Sequence, residues 1–228
     1  MEDVTLVIPA KNEHESLPKV LDEIKKYNLK IIVVIPREDV LTREAIKNYD
    51  CTILPQFESG FGNALILGIN AVETKYFCIF NADGSFNPIY LKDLREVLLK
   101  GKDFVFSSRY EPGGGSDDDT MLTYIGNKFF TGLCNFLFKL KITDVLFTYA
   151  MGSTLAFKNL NYIDYLHHLI FVGLGVIPGM LYINSNQLYL HKIACSGIPG
   201  IIEYGTLTLY KNNRLSKSFS VWGRFEDY

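Results

Sequence analysis

The chain has 228 residues, of which 48% are hydrophobic and 21% charged. That composition is typical of a folded globular protein and excludes disorder over the whole chain, and the length suits one large domain or one and a half. The net charge of −2 argues against a broad nucleic-acid surface, because neutralising phosphates requires clustered Lys and Arg.

The cysteines and the N-terminus predict the compartment. Cys51, Cys78, Cys134 and Cys195 are widely spaced and form no Cys-x-x-Cys pair, so we expect buried, reduced thiols and neither a zinc site nor a disulfide framework. The first residues run directly into a strand-like segment and show no signal-peptide pattern. These features predict a cytoplasmic protein.

Strand and helix patterns alternate through residues 1–110. The predicted strands are 4–8, 31–35, 51–54, 76–80 and 104–107, and the predicted helices are 15–27, 41–49, 62–73 and 88–99. The strands are continuously apolar, which is typical of a parallel sheet covered by helices on both faces. The sequence therefore predicts an α/β fold.

The second half of the chain has a looser pattern. A Gly- and Asp-rich loop at 111–119 precedes a predicted helix at 121–139. This helix contains four phenylalanines, Phe129, Phe130, Phe136 and Phe138. We expect them to lie in the core in preference to a groove for an acceptor lipid. The last segment, 211–228, is polar and reads as a loose tail.

A long uncharged stretch occupies residues 165–191, which contain no Asp, Glu, Lys or Arg. Its apolar run, 169–183, is interrupted by glycines and Pro178 and falls short of the roughly 20 residues that a spanning helix needs. We therefore expect no transmembrane span. Two alternatives stay open, a buried core segment and a segment lying in a membrane interface.

Polar side chains follow the predicted strands where each one ends, at 9–13, 36–39, 81–85 and 108–110. Ligands of open parallel sheets bind beyond the carboxyl ends of the strands, and Mg²⁺ or Mn²⁺ prefers carboxylate oxygens combined with substrate phosphate. Asn81 and Asp83 are two residues apart, so their side chains point the same way and can share one cation. The alternative is that strand-end loops are polar in any protein.

Four blocks of sequence carry a family resemblance. Residues 6–13 (L-V-I-P-A-K-N-E), 60–68, 81–88 and 107–114 occur in the order found in family 2 glycosyltransferases of the GT-A fold. The chain resembles most the branch of dolichyl-phosphate mannose synthases and polyprenyl-phosphate glycosyltransferases, over roughly residues 4–152. The resemblance implies a mostly parallel, Rossmann-like sheet with a less regular acceptor-side region after it.

The resemblance also implies a donor site. Pro9, Ala10 and Glu13 would line the nucleotide pocket. Asp83 would be the main carboxylate ligand of Mg or Mn, and Asn81, which stands where the family has its first carboxylate, would be the second ligand and a donor-binding residue.

Two further residues are implied to take part in the reaction. Arg109 would contact phosphate through its guanidinium fork, and Asp144 matches an acceptor-side block of the family. The chain also departs from the family. Lys11 replaces a tyrosine, and the aspartate that usually follows the second strand is displaced or missing in 36–39.

The expected function is metal-dependent transfer of a sugar, with inversion, from a nucleotide-diphosphate donor to a polyprenyl-phosphate or related glycan acceptor. A phosphate acceptor needs no strong base, whereas a hydroxyl acceptor needs a carboxylate such as Asp144 or one of 117–119. The alternatives are a soluble polysaccharide-building glycosyltransferase and a non-catalytic relative that binds a nucleotide or a partner.

The expected organisation follows from the same resemblance. Residues 1–115 would form the nucleotide-sugar-binding core, and residues 116–228 the acceptor-side region. We expect a cytoplasmic protein that contacts the inner face of the membrane weakly and reversibly through 165–190.

Overall fold

The structure is a computed structural model that describes residues 1–116, 120–138 and 142–159, together with the strands 193–194, 201–202, 205–211 and 214–221. These residues belong to two compact units. The first comprises Met1–Arg95 and Tyr149–Lys158, and the second comprises Glu96–Thr148 with the described residues that follow Lys158. The division expected at residue 115 stays a prediction.

Strands and helices alternate along the chain. The strands are β1 (Val4–Pro9), β2 (Lys30–Pro36), β3 (Thr52–Gln56), β4 (Tyr76–Ile79), β5 (Phe104–Ser107), β6 (Ala150–Ser153), β7 (Ile193–Ala194), β8 (Ile201–Ile202), β9 (Gly205–Lys211) and β10 (Arg214–Val221). The α-helices are α1 (Leu17–Ile24), α2 (Val40–Ala45), α3 (Phe61–Asn70), α4 (Leu91–Leu99), α5 (Met121–Phe138) and α6 (Thr154–Lys158).

The first unit is built on a mostly parallel sheet in the order β3-β2-β1-β4-β6. The first four strands are parallel, with Val7 of β1 paired to Ile32 of β2 and to Ile79 of β4. The expected α/β fold with a mostly parallel sheet is confirmed. The antiparallel strand β6 was not expected, because its sequence Ala-Met-Gly-Ser lacks the β-branched residues that mark a strand.

Apolar β-branched residues make the central strands the core of this unit. Residues 4–8 of β1 and 32–36 of β2 are all buried. Helix α1 adds Leu17, Val20, Leu21 and Ile24, which recur at helical spacing and are buried. Burial on both faces explains why these strands read as continuous apolar runs.

Two predicted helices are shorter than expected. The segment predicted as helix 15–27 forms α1 and then a 3₁₀ turn, Lys25–Tyr27, which ends at Asn28 in the left-handed region with φ of 50°. The segment predicted as 41–49 is helical only over Val40–Ala45, and residues 46–48 form a turn. Cys51, expected to be buried, is half-buried, whereas Cys78 and Cys134 are buried.

The second unit contains β5, paired in parallel with β7 and antiparallel with β8, a β9–β10 hairpin, and the long helix α5. The expectation that the aromatic residues of α5 lie in the core is wrong for Phe129, Phe130 and Phe136, which are 67%, 39% and 81% exposed. The buried face of α5 consists instead of Asn127, Thr131 and Cys134. Residues 117–119, Cys195 and the segment 165–190 lie outside the described residues.

No helix in the described ranges is long and apolar enough to cross a bilayer. This finding includes α5, the longest of them, with 18 residues.

Helix α3 approaches the sheet closely at Gly68. A Cβ atom at this position would overlap Cγ1 of Val7 and lie 3.0 Å from Cγ2 of Val34. We expect Gly68→Ala to lower the free energy of unfolding by about 1–3 kcal/mol, because overpacking forces neighbouring atoms to shift. Chemical denaturation of the purified protein measures this change.

Gly132 provides the matched control, since a Cβ there meets nothing within 4 Å. We expect Gly132→Ala to leave stability unchanged or raise it by up to about 1 kcal/mol, the difference in helix propensity. Equal effects of the two substitutions would contradict the close approach of α3 to the sheet.

Candidate active site

The loop after β1 is held by backbone hydrogen bonds at the carboxyl edge of the sheet. The Ala10 N–H donates to the Val34 carbonyl at 2.9 Å, which extends the ladder beyond the strand. Asn12 then adopts a positive φ of 61°, and the N–H of Glu13 donates to Oγ1 of Thr42 at 2.9 Å. The expected pocket residues Pro9, Ala10 and Glu13 therefore lie on a fixed turn.

Asp39 links this turn to helix α2. Its Oδ2 accepts the Asn12 N–H at 2.6 Å, and its Oδ1 accepts the Thr42 N–H at 3.1 Å, capping α2. Burial raises the pKa of the Asp39 carboxyl, but these hydrogen bonds outweigh burial and hold the pKa below its ordinary value. This carboxylate, which follows β2, thus has a structural role.

Glu13 has a local partner for its carboxylate. The Ser16 hydroxyl donates to Oε2 of Glu13 and lies 3.4 Å from the Glu13 carbonyl oxygen. The side chain is half-buried. This contact holds the carboxylate against the start of α1, and no hydrogen bond joins its other oxygen, Oε1, to a residue that the structure describes.

The loop after β4 forms a closed hydrogen-bonded ring. The Phe86 N–H donates to Oδ1 of Asn81 at 3.2 Å, which fixes the orientation of the amide. The amide nitrogen of Asn81 then donates to Oδ1 of Asp83 and to Oγ of Ser85. The Ser85 N–H also donates to Oδ1 of Asp83 at 2.8 Å, and Gly84 takes a φ of 85° that permits the turn.

The second oxygen of Asp83 is the group in this ring that could hold a metal. The side chain is exposed, and its Oδ2 accepts no hydrogen bond from the described residues. Asn81 as a second ligand stays a prediction, and its Oδ1 has a second lone pair beside the one that accepts the Phe86 N–H. Within the described ranges no three His, Cys, Asp or Glu side chains cluster around a common point. A cation here would take one carboxylate plus ligand phosphate and water, which suits Mg²⁺.

Three aromatic rings support this loop from the core. The Phe86 ring stacks on Tyr149 at 4.7 Å, and Phe80 meets both rings edge-on. The Tyr149 hydroxyl donates to the Asn87 carbonyl at 3.0 Å, and burial raises the pKa of that hydroxyl. Sequence reasoning missed Tyr149 as a support, although it lies in the block around Asp144.

Arg109 and Asp144 form a buried ion pair in the second unit. The Arg109 Nε donates to Oδ2 of Asp144 at 2.8 Å, and its Nη2 donates to Oδ1 at 3.0 Å. The Arg109 backbone N–H adds a third bond at 3.2 Å. The side chain of Asp144 is fully buried and that of Arg109 is 20% exposed. This bidentate contact fixes the plane of the guanidinium.

Helix α5 completes the surroundings of this carboxylate. Nδ2 of Asn127 donates to Oδ1 of Asp144 and to the Tyr110 hydroxyl, both at 3.0 Å. Oδ1 of Asn127 accepts the Thr131 hydroxyl at 3.3 Å, and Thr131 in turn accepts the Val145 N–H at 3.2 Å. Sequence reasoning missed Asn127 and Thr131. The spacing of two polar residues on a buried helix face was the available signal.

The rings of Tyr110 and Phe147 lie against the Arg109 guanidinium, at 5.3 and 5.2 Å from their centroids. Asp144 accepts four hydrogen bonds, so the geometry favours a positioning role for this residue over proton abstraction. Its catalytic role, like that of Arg109, stays a prediction.

We expect Asp144→Asn to lower the free energy of unfolding by about 3 kcal/mol, because it removes a buried negative charge that the Arg109 guanidinium contacts through two hydrogen bonds. Denaturant unfolding of the two proteins measures the difference.

Glu44→Gln is the control for this prediction, since the Glu44–Lys47 pair has the same 2.8 Å separation but is exposed. We expect no measurable change for this variant. A loss in Asp144→Asn no larger than in Glu44→Gln would show that the buried pair does not stabilise the unit.

The chain is similar to several known proteins. Glycosyl transferase family 2 matches residues 5–160. An uncharacterized glycosyltransferase of Mycobacterium bovis is 33% identical over 112 residues, which cover 49% of this chain and 50% of the relative. The dolichol-phosphate mannosyltransferase of Pyrococcus furiosus is 28% identical over 120 residues, 49% of this chain and 34% of that protein. The chain thus spans half or less of these relatives.

Two solved structures share the fold. The glucosyl-3-phosphoglycerate synthase of Mycobacterium tuberculosis, solved with Mn²⁺, UDP and glucosyl-3-phosphoglycerate, has a TM-score of 0.55 at 16% identity. The match covers 69% of this chain and 58% of that one. For the mannosyl-3-phosphoglycerate synthase of Rubrobacter xylanophilus the TM-score is 0.50 at 20% identity, with 68% and 54% covered. These likenesses confirm the expected GT-A fold, and the match over residues 5–160 of 228 means that the chain belongs to glycosyl transferase family 2.

Proposed function

We propose that the chain is a metal-dependent glycosyltransferase that moves a sugar from a nucleoside-diphosphate donor to a phosphate-bearing acceptor. The observation that carries this proposal is the free Oδ2 of Asp83, which the ring of Asn81 and Ser85 holds at the carboxyl edge of the sheet in a family 2 chain. The M. tuberculosis neighbour was solved with Mn²⁺ and with Mg²⁺, each together with UDP, which supports a divalent cation here.

Asp83 is the carboxylate that would hold Mg²⁺ or Mn²⁺, with Asn81 positioning it. When bound, the cation would offset the negative charge that develops on the departing diphosphate. Pro9, Ala10 and Glu13 line the proposed donor pocket on the fixed turn after β1. Arg109, oriented by Asp144, supplies a planar fork for a phosphate of donor or acceptor.

The acceptor that this chemistry favours is a polyprenyl phosphate. A phosphate oxygen is already nucleophilic and needs no strong base, which agrees with the four hydrogen bonds that occupy Asp144. The curated relative from P. furiosus is a dolichol-phosphate mannosyltransferase. The M. tuberculosis neighbour was solved with phosphoglyceric acid, a soluble phosphorylated compound, so a phosphate at this site can come from a lipid or from solution.

Helix α5 favours a membrane source of the phosphate, because its two faces differ. One face carries Asn127, which bonds to Asp144, and the opposite side exposes large apolar side chains. These are Met121 (81%), Leu122 (80%), Ile125 (57%), Phe129 (67%) and Phe136 (81%). An apolar helix face of this kind can lie in the boundary between headgroups and acyl chains. We propose that α5, with the uncharged segment 165–190, contacts the cytoplasmic face of the membrane peripherally and brings Arg109 to a lipid-linked phosphate.

Asp83→Ala should reduce metal-dependent binding of a nucleoside diphosphate by roughly tenfold or more, because carboxylate charge sets the affinity of hard divalent cations. Isothermal titration with and without Mn²⁺ measures this loss, and unfolding curves check that the fold is intact. Asp50→Asn is the control, since this exposed carboxylate precedes β3 and lies at the opposite edge of the sheet. Unchanged metal dependence in Asp83→Ala would refute the metal site.

The membrane proposal predicts that the intact protein floats with anionic liposomes and that Phe129→Glu combined with Phe136→Glu abolishes flotation. Charges placed at Phe171 and Leu174 test the uncharged segment in the same way. Leu41→Glu, an equally exposed apolar position of the first unit, should float like the wild type.

Transfer assays with polyprenyl phosphate, phosphoglyceric acid and a neutral glycan identify the acceptor. Flotation that is absent, or the same in every variant, together with transfer to the soluble compounds alone, would support a soluble glycosyltransferase instead. Donor binding without transfer to any of them would support the non-catalytic alternative.

A further inference from the structure

We infer that Arg37 and Phe57 form the binding surface for the nucleobase of the donor, and that they select a base with a carbonyl oxygen at the ring carbon where adenine and cytosine carry an amino group. This inference rests on the proposed function, since it requires that the chain binds a nucleoside diphosphate. Neither residue belongs to the sequence blocks that carry the family resemblance.

The register of two neighbouring strands brings Arg37 and Phe57 together. Pro36, the last residue of β2, pairs with Gln56, the last residue of β3. Arg37 and Phe57 therefore leave the sheet at the same level from adjacent parallel strands. The Arg37 N–H donates to the Gln56 carbonyl at 3.1 Å, so the ladder extends to the pair itself. This position is the carboxyl edge, where ligands of open α/β sheets bind.

The backbone beneath the pair is anchored from both sides. Gln56 is buried, and its Nε2 donates to the carbonyls of Glu58 and Gly60 at 2.6 and 2.8 Å, closing the turn that carries Phe57. On the other strand, Nη2 of Arg43 donates to the Arg37 carbonyl at 2.6 Å. Both side chains thus project from fixed backbone, which a recognition surface needs.

The Phe57 ring is 74% exposed, which is unusual for a phenylalanine, and the Arg37 guanidinium lies 5.7 Å from its centroid. An exposed cation–π contact is weaker than the stack of a nucleobase on an aromatic ring. A base can therefore displace the guanidinium from the ring. The displaced guanidinium of Arg37 can then donate hydrogen bonds to the edge of the stacked base.

The donor-only chemistry of Arg37 determines which base is favoured. A guanidinium has five N–H donors and no acceptor, so it pairs with carbonyl oxygens and ring nitrogens, as in the two-bond contact to guanine O6 and N7. An amino group at the same edge, as in adenine or cytosine, offers it a donor instead. Asp39, which could have accepted from such an amino group, is occupied by Asn12 and Thr42. Guanine O6 and uracil O4 are the required oxygens, because they stand where adenine and cytosine carry the amino group.

Titration calorimetry of the full chain with GDP, UDP, ADP and CDP in the presence of Mn²⁺ tests the inference. GDP or UDP should bind the wild type about tenfold more tightly than ADP and CDP, the value of one good polar contact to a base edge. Phe57→Ala should weaken binding of the preferred nucleotide by roughly tenfold, and Phe57→Tyr should restore it. Arg37→Gln should make the affinities for GDP, UDP, ADP and CDP similar to one another.

Lys26 and Tyr27 supply the matched control, because they form a similar cation–π contact at 5.2 Å but precede β2, at the opposite edge of the sheet. Lys26→Ala and Tyr27→Leu should leave all four affinities unchanged. Tight binding of a nucleotide that Phe57→Ala and Arg37→Gln do not alter, or a preference for ADP or CDP, would overturn the inference alone. Failure of the wild type to bind any of the four would overturn the proposed function and this inference together.

Discussion

The hydrogen-bonded register of four parallel strands is the constraint on which the rest of the first unit depends. Because β1, β2, β3 and β4 run in the same direction, the loops that follow them emerge at one edge. The turn after β1, the Arg37–Phe57 pair and the ring around Asp83 are all products of this geometry. The register depends on close packing of α3 at Gly68, since a side chain there would push against both β1 and β2.

Three carboxylates among the described residues, Asp39, Asp144 and Asp83, are used in different ways. Asp39 caps a helix and fixes the Asn12 turn, and Asp144 receives four hydrogen bonds from Arg109 and Asn127. In Asp83 one oxygen is fixed by its neighbours and the other faces solvent. Asp39 and Asp144 are buried and accept hydrogen bonds on both oxygens, as the cost of burying charge requires, whereas a ligand-binding carboxylate needs an oxygen to spare.

Helix α5 joins two different surfaces in the second unit. Its buried side orients Arg109 through Asn127 and Asp144, and its exposed side presents Phe129 and Phe136 to solvent. An apolar face of this size calls for a covering surface, because exposed aromatic side chains are costly in water. A bilayer would cover the exposed apolar face of α5, and a phosphorylated lipid in that bilayer would supply the phosphate for Arg109. For this reason we favour the lipid-linked acceptor.

The sequence by itself determined the α/β class and which segments form the parallel strands, because apolar runs are local signals. Short motifs, which are also local, determined the family and the position of Asp83 at a strand end. Only the tertiary structure decided how the polar groups are used. Whether Asp39 and Asp144 are free or paired depends on N–H groups from distant segments, such as Asn12 and Asn127. The antiparallel strand β6 and the exposed side of α5 were likewise unpredictable, because strand pairing and helix orientation arise from contacts that no local pattern encodes.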